Sequence, residues 1–297
     1  MNGDLGARLD EVVRMPIPER AAPLIELARA ALESGTGGQA VPLIHPMLAL
    51  IEEGAGTPRE RLELGEVLGL LGDPRLRRPV DPDYWVTVPG EDGSVIVGRY
   101  PVTTSEFRTW VDEGGYERTD AWSPEGREWL ASCDDPWRVV ASGADSLPFV
   151  VPNQPVVGIT FFEAEAYASS FGARLLLADE RVWVIRGGKR RPYPWGEPFG
   201  EGNANTREEV LGRPCAVGLY MRDRTPEGVC DLAGNVAEWL GDGLGGSRLI
   251  HPGAWDQPSM AAWAKAKDLR PPTFRAAGLG FRIARDLSIA SGSSRPG

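Results

Sequence analysis

Apolar side chains recur every three or four residues between residues 24 and 71, which is the spacing of amphipathic helices. Thr57 precedes Pro58 and is followed by Glu60, a pattern typical of a capping box with proline at the first helical position. These features predict an all-α segment over residues 1–78. The segment is either a small bundle or helical-repeat fragment, or a collar that packs against the rest of the chain.

The pattern changes near residues 75–82, which are rich in proline and arginine. Beyond them regular elements are short, and glycine, proline and tryptophan are frequent. The predicted elements are strands at 84–88, 94–97 and 279–284, and helices at 105–113, 163–171 and 179–185. The sequence therefore predicts an α+β protein, with an irregular, loop-rich domain over residues 79–286. A Ser- and Gly-rich tail at 287–297 is expected to be flexible.

Composition narrows the function classes. Hydrophobic residues make up 42% of the chain and charged residues 25%, which is ordinary for a globular protein. No apolar run approaches the roughly 20 residues of a membrane helix, and the N-terminus lacks the features of a secretory signal. The formal net charge of -10 argues against nucleic-acid binding, which depends on neutralising phosphates. We therefore expect a cytoplasmic protein with neither a membrane nor a nucleic acid as partner.

Cysteine and histidine are scarce. Cys133, Cys215 and Cys230 form no close pair in the sequence, which indicates reduced thiols rather than a disulfide framework. The two histidines, His45 and His251, lie far apart. A histidine-rich iron or zinc site built by this chain alone is therefore not expected.

The most informative stretch is residues 228–239, where Gly-Asn-Val is followed by Glu-Trp. It resembles the "GLYDMxGNVWEW" signature of the formylglycine-generating enzymes, also called sulfatase-modifying factors. Further blocks of that family occur in the same order at 100–107, 122–126, 154–160, 186–188, 193–196, 253–255 and 278–282. The resemblance covers about residues 80 to 286. It implies an irregular variant of the C-type lectin fold.

The resemblance does not extend to the cofactor ligands of the family. Its oxidase members bind copper through two cysteines shortly after the "GGSW" block, and Gln257 and Ala262 stand at about those positions here. A sister branch of iron-dependent sulfoxide synthases uses three histidines from a helical domain, whereas the helical part of this chain has only His45. Neither copper nor iron is therefore expected.

Calcium is the metal that the resemblance favours. Members of the family hold Ca²⁺ with side-chain and backbone oxygens near two of these blocks, and hard oxygen ligands suit that ion. Asn205 and Asn235 occupy the matching positions, with Glu238 nearby. The alternative is that these side chains cap turns by bonding to backbone amides.

The former substrate groove supplies the candidate binding residues. They are His251, Trp255, Asp256, Gln257, Trp263, Lys267 and Phe274. For the aromatic members the alternative is core packing, and for His251 a surface or half-buried position. Because the cysteine pair is missing, we expect a non-catalytic binding module that recognises a protein partner, in a bacterial signalling or multi-protein system. The alternative is an enzyme with altered, non-copper chemistry on a peptide or a small molecule.

Overall fold

A computed structural model of the protein describes residues 2–90, 93–134, 136–137, 150–187 and 189–286. The tail for which flexibility is predicted, 287–297, lies outside these residues. Within the described ranges, every helix is too short or too polar to cross a membrane.

Four helices form the N-terminal segment: α1 (Asn2–Arg14), α2 (Ala21–Glu33), α3 (Val41–Glu52) and α4 (Pro58–Leu71). Helix α2 packs against both α3 and α4, and the apolar stripes of the sequence meet in one buried cluster around Leu24, Leu43 and Leu68. The capping box before α4 is confirmed. The Thr57 hydroxyl accepts a hydrogen bond from Glu60 N, and the Glu60 carboxylate accepts one from Thr57 N.

The helical segment packs directly against the second part of the chain through α4. Its buried cluster continues into Leu219 and Tyr220 of that part. Gly65 and Gly69 of α4 allow a close approach, because a Cβ atom at Gly65 would lie 2.7 Å from Ala216 Cβ and one at Gly69 would collide with the Asn153 amide. This packing corresponds to the collar that the sequence left open as one alternative.

In the second part, the described residues form two four-stranded sheets. Their strands are β1 (Trp85–Val88), β2 (Val95–Gly98), β3 (Arg174–Leu175), β4 (Ala237–Leu244), β5 (Ser247–His251), β6 (Asp268–Arg270), β7 (Leu279–Phe281) and β8 (Ile283–Arg285). The first sheet has the order β1-β2-β8-β3, and the second has the order β6-β5-β4-β7. In the second sheet β4 and β7 are parallel, with Trp239 opposite Phe281.

The prediction of one strand over residues 279–284 is wrong. The chain forms β7 in the second sheet and β8 in the first, and Arg282 lies between them. Arg282 is fully buried, and its side chain bonds to groups from both halves of the fold, as described below. The change of sheet at this residue depends on tertiary contacts that alternating hydrophobicity does not encode.

Among the described residues, four shorter helices cover the sheets: α5 (Thr104–Asp112), α6 (Pro124–Ser132), α7 (Phe161–Ser170) and α8 (Ala178–Arg186). Capping boxes begin α5 and α7, each with threonine at the N-cap and glutamate three residues later. Buried aromatic rings fill the space beneath them, with Phe107, Tyr167 and Phe281 in mutual contact. The mixed helix-and-sheet class is therefore confirmed.

We expect Gly69→Ala to lower the free energy of unfolding by about 1–3 kcal/mol, because the added methyl group overpacks the contact between α4 and Asn153. Urea unfolding would measure the change. Gly6→Ala is the matched control, since nothing lies within 4 Å of a Cβ atom at that helical glycine. Equal stability of the two variants would contradict the close packing of the helical segment against the second part.

Candidate functional site

A buried carboxylate lies at the end of the signature stretch. Glu238 on β4 is held between two guanidinium groups: Arg181 Nε of α8 lies 3.2 Å from its Oε2, and Arg282 Nη2 lies 3.1 Å from its Oε1. All three side chains are almost fully buried. Burial alone would raise the pKa of Glu238, but the two arginines hold it below its ordinary value.

Arg282 connects this carboxylate to distant parts of the backbone. Its Nη1 donates to the carbonyl oxygens of Gly98 and Arg99, both at 2.9 Å, and its Nη2 donates to Cys230 O at 2.7 Å. Arg181 Nη2 in turn donates to Leu232 O at 2.8 Å. Glu238, in the Glu-Trp end of the signature, is therefore a structural residue at the centre of the fold. It does not line an open site.

The Gly-Asn-Val turn is held by a second buried acid, Asp223, which sequence reasoning missed. Its carboxylate accepts hydrogen bonds from the backbone N–H groups of Leu232, Ala233 and Gly234 at 2.9–3.1 Å. Burial raises the pKa of Asp223 to about 6, and burial together with the charge of Asp223 raises the pKa of Asp231 to about 7. Asp223 thus holds the turn through backbone amides, and the Asp231 carboxylate accepts a hydrogen bond from Gly218 N at 2.7 Å.

The residues proposed for calcium do not fit that ion. Asn235 Oδ1 accepts a hydrogen bond from Cys215 N at 2.9 Å, and its Nδ2 donates to Cys215 O at 3.1 Å. The Glu238 carboxylate is already paired with two arginines. Asn205 Oδ1 lacks a partner among the described residues, but calcium takes six to eight oxygens. The arrangement corresponds to the turn-capping alternative, and calcium binding by the protein stays a prediction.

The predicted groove residues divide between two cavities and the surface. Asp256, Gln257 and Phe274 line a cavity of about 120 Å³, called here the groove, together with Asp268 and Arg270. Its floor comes from the second sheet through side chains of β4, β5 and β7. Sequence reasoning missed Asp268 and Arg270, which lie on the three-residue strand β6.

His251 and Lys267 line a separate cavity of about 270 Å³ with Arg181 and Lys265. His251 is neither half-buried nor on the surface, because its ring is enclosed: Nδ1 accepts a hydrogen bond from Gly253 N at 3.3 Å, and Nε2 lies 3.1 Å from Trp263 O. Burial, assisted by the charge of Arg181, lowers the pKa of His251 well below its ordinary value. The imidazole is therefore neutral at physiological pH.

The two predicted tryptophans line neither of these cavities. Trp255 is half-buried, and its indole Nε1 donates to Ala277 O at 3.3 Å. Trp263 is 44% exposed. Phe274 is half-buried, with the Arg270 guanidinium 5.3 Å from its ring centre. Of the three aromatic candidates, Phe274 lines the groove.

The groove has a surplus negative charge. Arg270 Nη2 lies 2.6 Å from Asp268 Oδ2, so these two charges offset each other. Asp256 forms no ion pair within the described part of the chain, and its backbone oxygen accepts two hydrogen bonds from Arg207 at 2.8 and 3.0 Å. Arg207 thus fixes the loop that carries Asp256 and leaves its carboxylate available to a ligand.

The residues present do not fit the copper or iron centres that the family resemblance suggests. Gln257 and the fully buried Ala262 occupy the region of the copper-binding cysteines. His45 lies on α3 and His251 on β5, so the chain supplies no trio of imidazoles. Within the described ranges, no group of three or more His, Cys, Asp or Glu side chains is placed to hold a metal ion.

Comparison with known proteins assigns the family. Residues 93–287 match the sulfatase-modifying factor enzyme 1-like domain. The chain belongs to this family. The sulfatase-modifying factor fold is also seen in the solved structure of PvdO from Pseudomonas aeruginosa, which has 20% sequence identity and a TM-score of 0.50 and covers 69% of this chain and 91% of that one.

Curated relatives of this sulfatase-modifying factor domain include enzymes. A hercynine oxygenase of Mycolicibacterium thermoresistibile is 32% identical over 212 residues, covering 60% of this chain and 46% of the relative. A formylglycine-generating enzyme of Streptomyces coelicolor is 28% identical over 178 residues, covering 48% of this chain and 56% of the relative. The chain thus spans about half the length of the curated relatives it matches.

These relatives overturn the expectation of a non-catalytic binding module. That expectation came from the missing cysteine pair, yet the relatives at 32–35% identity are named hercynine oxygenases, which are enzymes rather than binding modules. Loss of the ligands for one cofactor does not imply loss of catalysis, because a fold can retain a site while its chemistry changes.

We expect Glu238→Gln to lower the free energy of unfolding by about 3–5 kcal/mol, because it leaves two buried arginines without their counter-charge. Glu113→Gln is the control, since Glu113 forms a surface pair with Arg78 and such pairs contribute about 1 kcal/mol or less. Denaturant unfolding of both variants would measure the difference. A loss at Glu238 as small as that at Glu113 would contradict the central role of the buried carboxylate.

We also expect stability to fall as the pH rises from 5 to 8. The folded-state pKa values of Asp223 and Asp231, about 6 and 7, lie above the ordinary value of 3.8. Their protonated forms therefore favour folding at low pH, and this contribution is lost as the pH passes through 6 and 7. Unfolding at several pH values should show a smaller fall for Asp231→Asn than for the wild type. If Asp231→Asn and the wild type lost the same stability as the pH rises, the raised pKa of Asp231 would be contradicted.

Proposed function

We propose that this chain is an enzyme of the sulfatase-modifying factor family, or the catalytic part of one, that acts on a small molecule with a cationic amine. The observation that carries the proposal is the Asp256 carboxylate, which lines the groove without an ion-pair partner among the described residues. A cationic ligand group would neutralise it. The aromatic ring of Phe274, which lines the groove, is suited to a cation as well.

The size of the groove favours a small molecule over a peptide. Its volume of about 120 Å³ is below the roughly 300–1,000 Å³ of typical drug-sized pockets. It therefore accommodates the head group of a substrate and leaves the remainder outside. Gln257 adds an amide that can both donate and accept hydrogen bonds at the same wall.

The roles of the side chains follow from their positions. Asp256 binds and orients the cation, Gln257 sets the direction of a polar group, and the Asp268–Arg270 pair bounds the groove on the β6 side. Because the residues do not fit a copper–thiolate or three-histidine centre, no redox step is assigned to the chain. The enzyme of this proposal works by non-copper chemistry.

The compartment and the protein partner remain proposals. Cys215 and Cys230 are buried as thiols outside any disulfide, which supports a reducing compartment such as the cytoplasm. A protein partner stays a prediction.

Calorimetric titration with hercynine, the trimethylammonium derivative of histidine, tests the groove. We expect saturable binding that Asp256→Asn weakens about tenfold or more, since a charge-assisted contact contributes about 1.5–3 kcal/mol. Asp112→Asn is the matched control, because Asp112 is an exposed carboxylate at the end of α5, away from the cavities. Equal affinity of the Asp256→Asn variant and the wild type, or equal binding of an analogue without the cation, would overturn the proposal.

A further inference from the structure

A larger cavity lies on another side of the molecule, where the helical segment meets the family domain. It has a volume of about 370 Å³ and is called here the arginine cleft. Its lining comes from the end of α3, the linker after α4, the residues after β2 and the loop that precedes the signature turn. It shares no lining residue with the groove.

Positive charge is concentrated in this cleft. Arg75, Arg77, Arg99 and Arg224 line it, against the two carboxylates of Glu52 and Asp83. Because Arg75 is paired with Asp73, three arginines face two carboxylates, and this positive excess is opposite in sign to the chain as a whole, whose formal net charge is -10. A local reversal of this kind favours an anionic ligand.

Two of the arginines are held in place by their neighbours. Arg75 makes a bidentate pair with Asp73, with Nε 3.0 Å from Oδ1 and Nη2 2.6 Å from Oδ2. Arg99 Nη1 donates to Gly228 O at 3.2 Å. Gly228 has φ +99° and leaves room for this guanidinium, because a Cβ atom there would lie 2.7 Å from Arg99 Nη1. The guanidinium positions are therefore built into the fold.

The charges of Arg99 and Arg224 are not offset. Over the described residues neither forms an ion pair with a carboxylate, and Arg224 is exposed at the cleft. Guanidinium groups present several donors in a planar fork that matches phosphate and carboxylate oxygens. The cleft thus offers two unpaired cations to one ligand, with Arg75 and Arg77 beside them.

Part of the wall is apolar, beside the carboxylates of Glu52 and Asp83. Leu48 and Ile51 of α3 face the cleft together with Met221 and the Tyr220 ring. A second, water-sized cavity of about 10 Å³ lies beside Arg75, Arg77 and Arg99 and is lined at its other end by Tyr84 and Glu106.

We propose that the arginine cleft binds a small organic anion of two negative charges, of the phosphate monoester type, with an apolar or ring-shaped body. The arginines bind the charged head, and the α3 side chains with Met221 contact the body. The volume lies within the range of small-molecule sites. The position makes the helical segment part of a ligand site, in addition to its packing role.

Phenyl phosphate is the probe, because it combines a dianion with a ring. We expect calorimetry to show saturable binding that is tighter than that of inorganic phosphate, which lacks the ring, and of benzoate, which has a single charge. Rising NaCl should weaken it. The proposal would be overturned if the wild type showed no saturable binding of phenyl phosphate. It would also be overturned if either inorganic phosphate or benzoate bound as tightly as phenyl phosphate.

Variants locate the site. Arg224→Ala and Arg99→Ala should each weaken phenyl phosphate binding about tenfold or more. Arg222→Ala is the control, since Arg222 is exposed two residues from Arg224 but does not line the cleft. If all three variants lost the same affinity for phenyl phosphate, the placement of the binding site in the arginine cleft would be overturned. Because Arg224 is exposed, its variant tests the proposal even if Arg99→Ala fails to fold. Asp256→Asn should leave this binding unchanged, so failure here and failure of the groove proposal are distinguishable.

Discussion

The ion cluster of Glu238 with Arg181 and Arg282 is the interaction on which the rest of the structure depends. Buried charges are costly unless they are paired and hydrogen-bonded, and here one carboxylate is shared by two guanidinium groups. Arg181 Nη2 and both Nη atoms of Arg282 also donate to backbone carbonyls. The cluster joins α8, β4 and the crossing from β7 to β8. Since β4, β5 and β7 also form the floor of the groove, the same contacts position the candidate site.

Local patterns in the sequence predicted much of the frame. Helical spacing and the Thr57–Glu60 capping box identified the N-terminal helices, and the ordered family blocks identified the domain that follows. The division of residues 279–284 into two strands could not be predicted, because it depends on contacts of Arg282 with groups up to 184 residues away. Arg181, the second partner of Glu238, is 57 residues distant in sequence.

The candidate site was less accessible to sequence reasoning. Asp256 and Gln257 could be placed from the neighbouring family block, but the pairing of Asp268 with Arg270 lies on a strand too short to show alternation. Asn235 and Glu238 carry atoms that suit calcium, and a pattern of residue types cannot show that those atoms are already used by amides and guanidinium groups. His251 illustrates the same limit, because its burial follows from packing between β5 and the segment around Trp263.

The protein has the signature residues that stabilise the fold of its family, but its candidate site lacks the copper and iron ligands that the resemblance implies. For this reason the sequence predicted a non-catalytic module. The enzyme relatives correct that inference. In the proposed function the groove beside Asp256 holds a small cationic molecule, and the arginine cleft is proposed as a separate anion site at the junction with the helices.

A crystal structure of the protein soaked with a trimethylammonium probe tests the central claim most directly. The account predicts that the cation lies in the groove within about 5 Å of the Asp256 carboxylate, against the Phe274 ring, a distance at which ion pairing and cation–π contacts operate. An ordered probe bound elsewhere, with an empty groove, would contradict it.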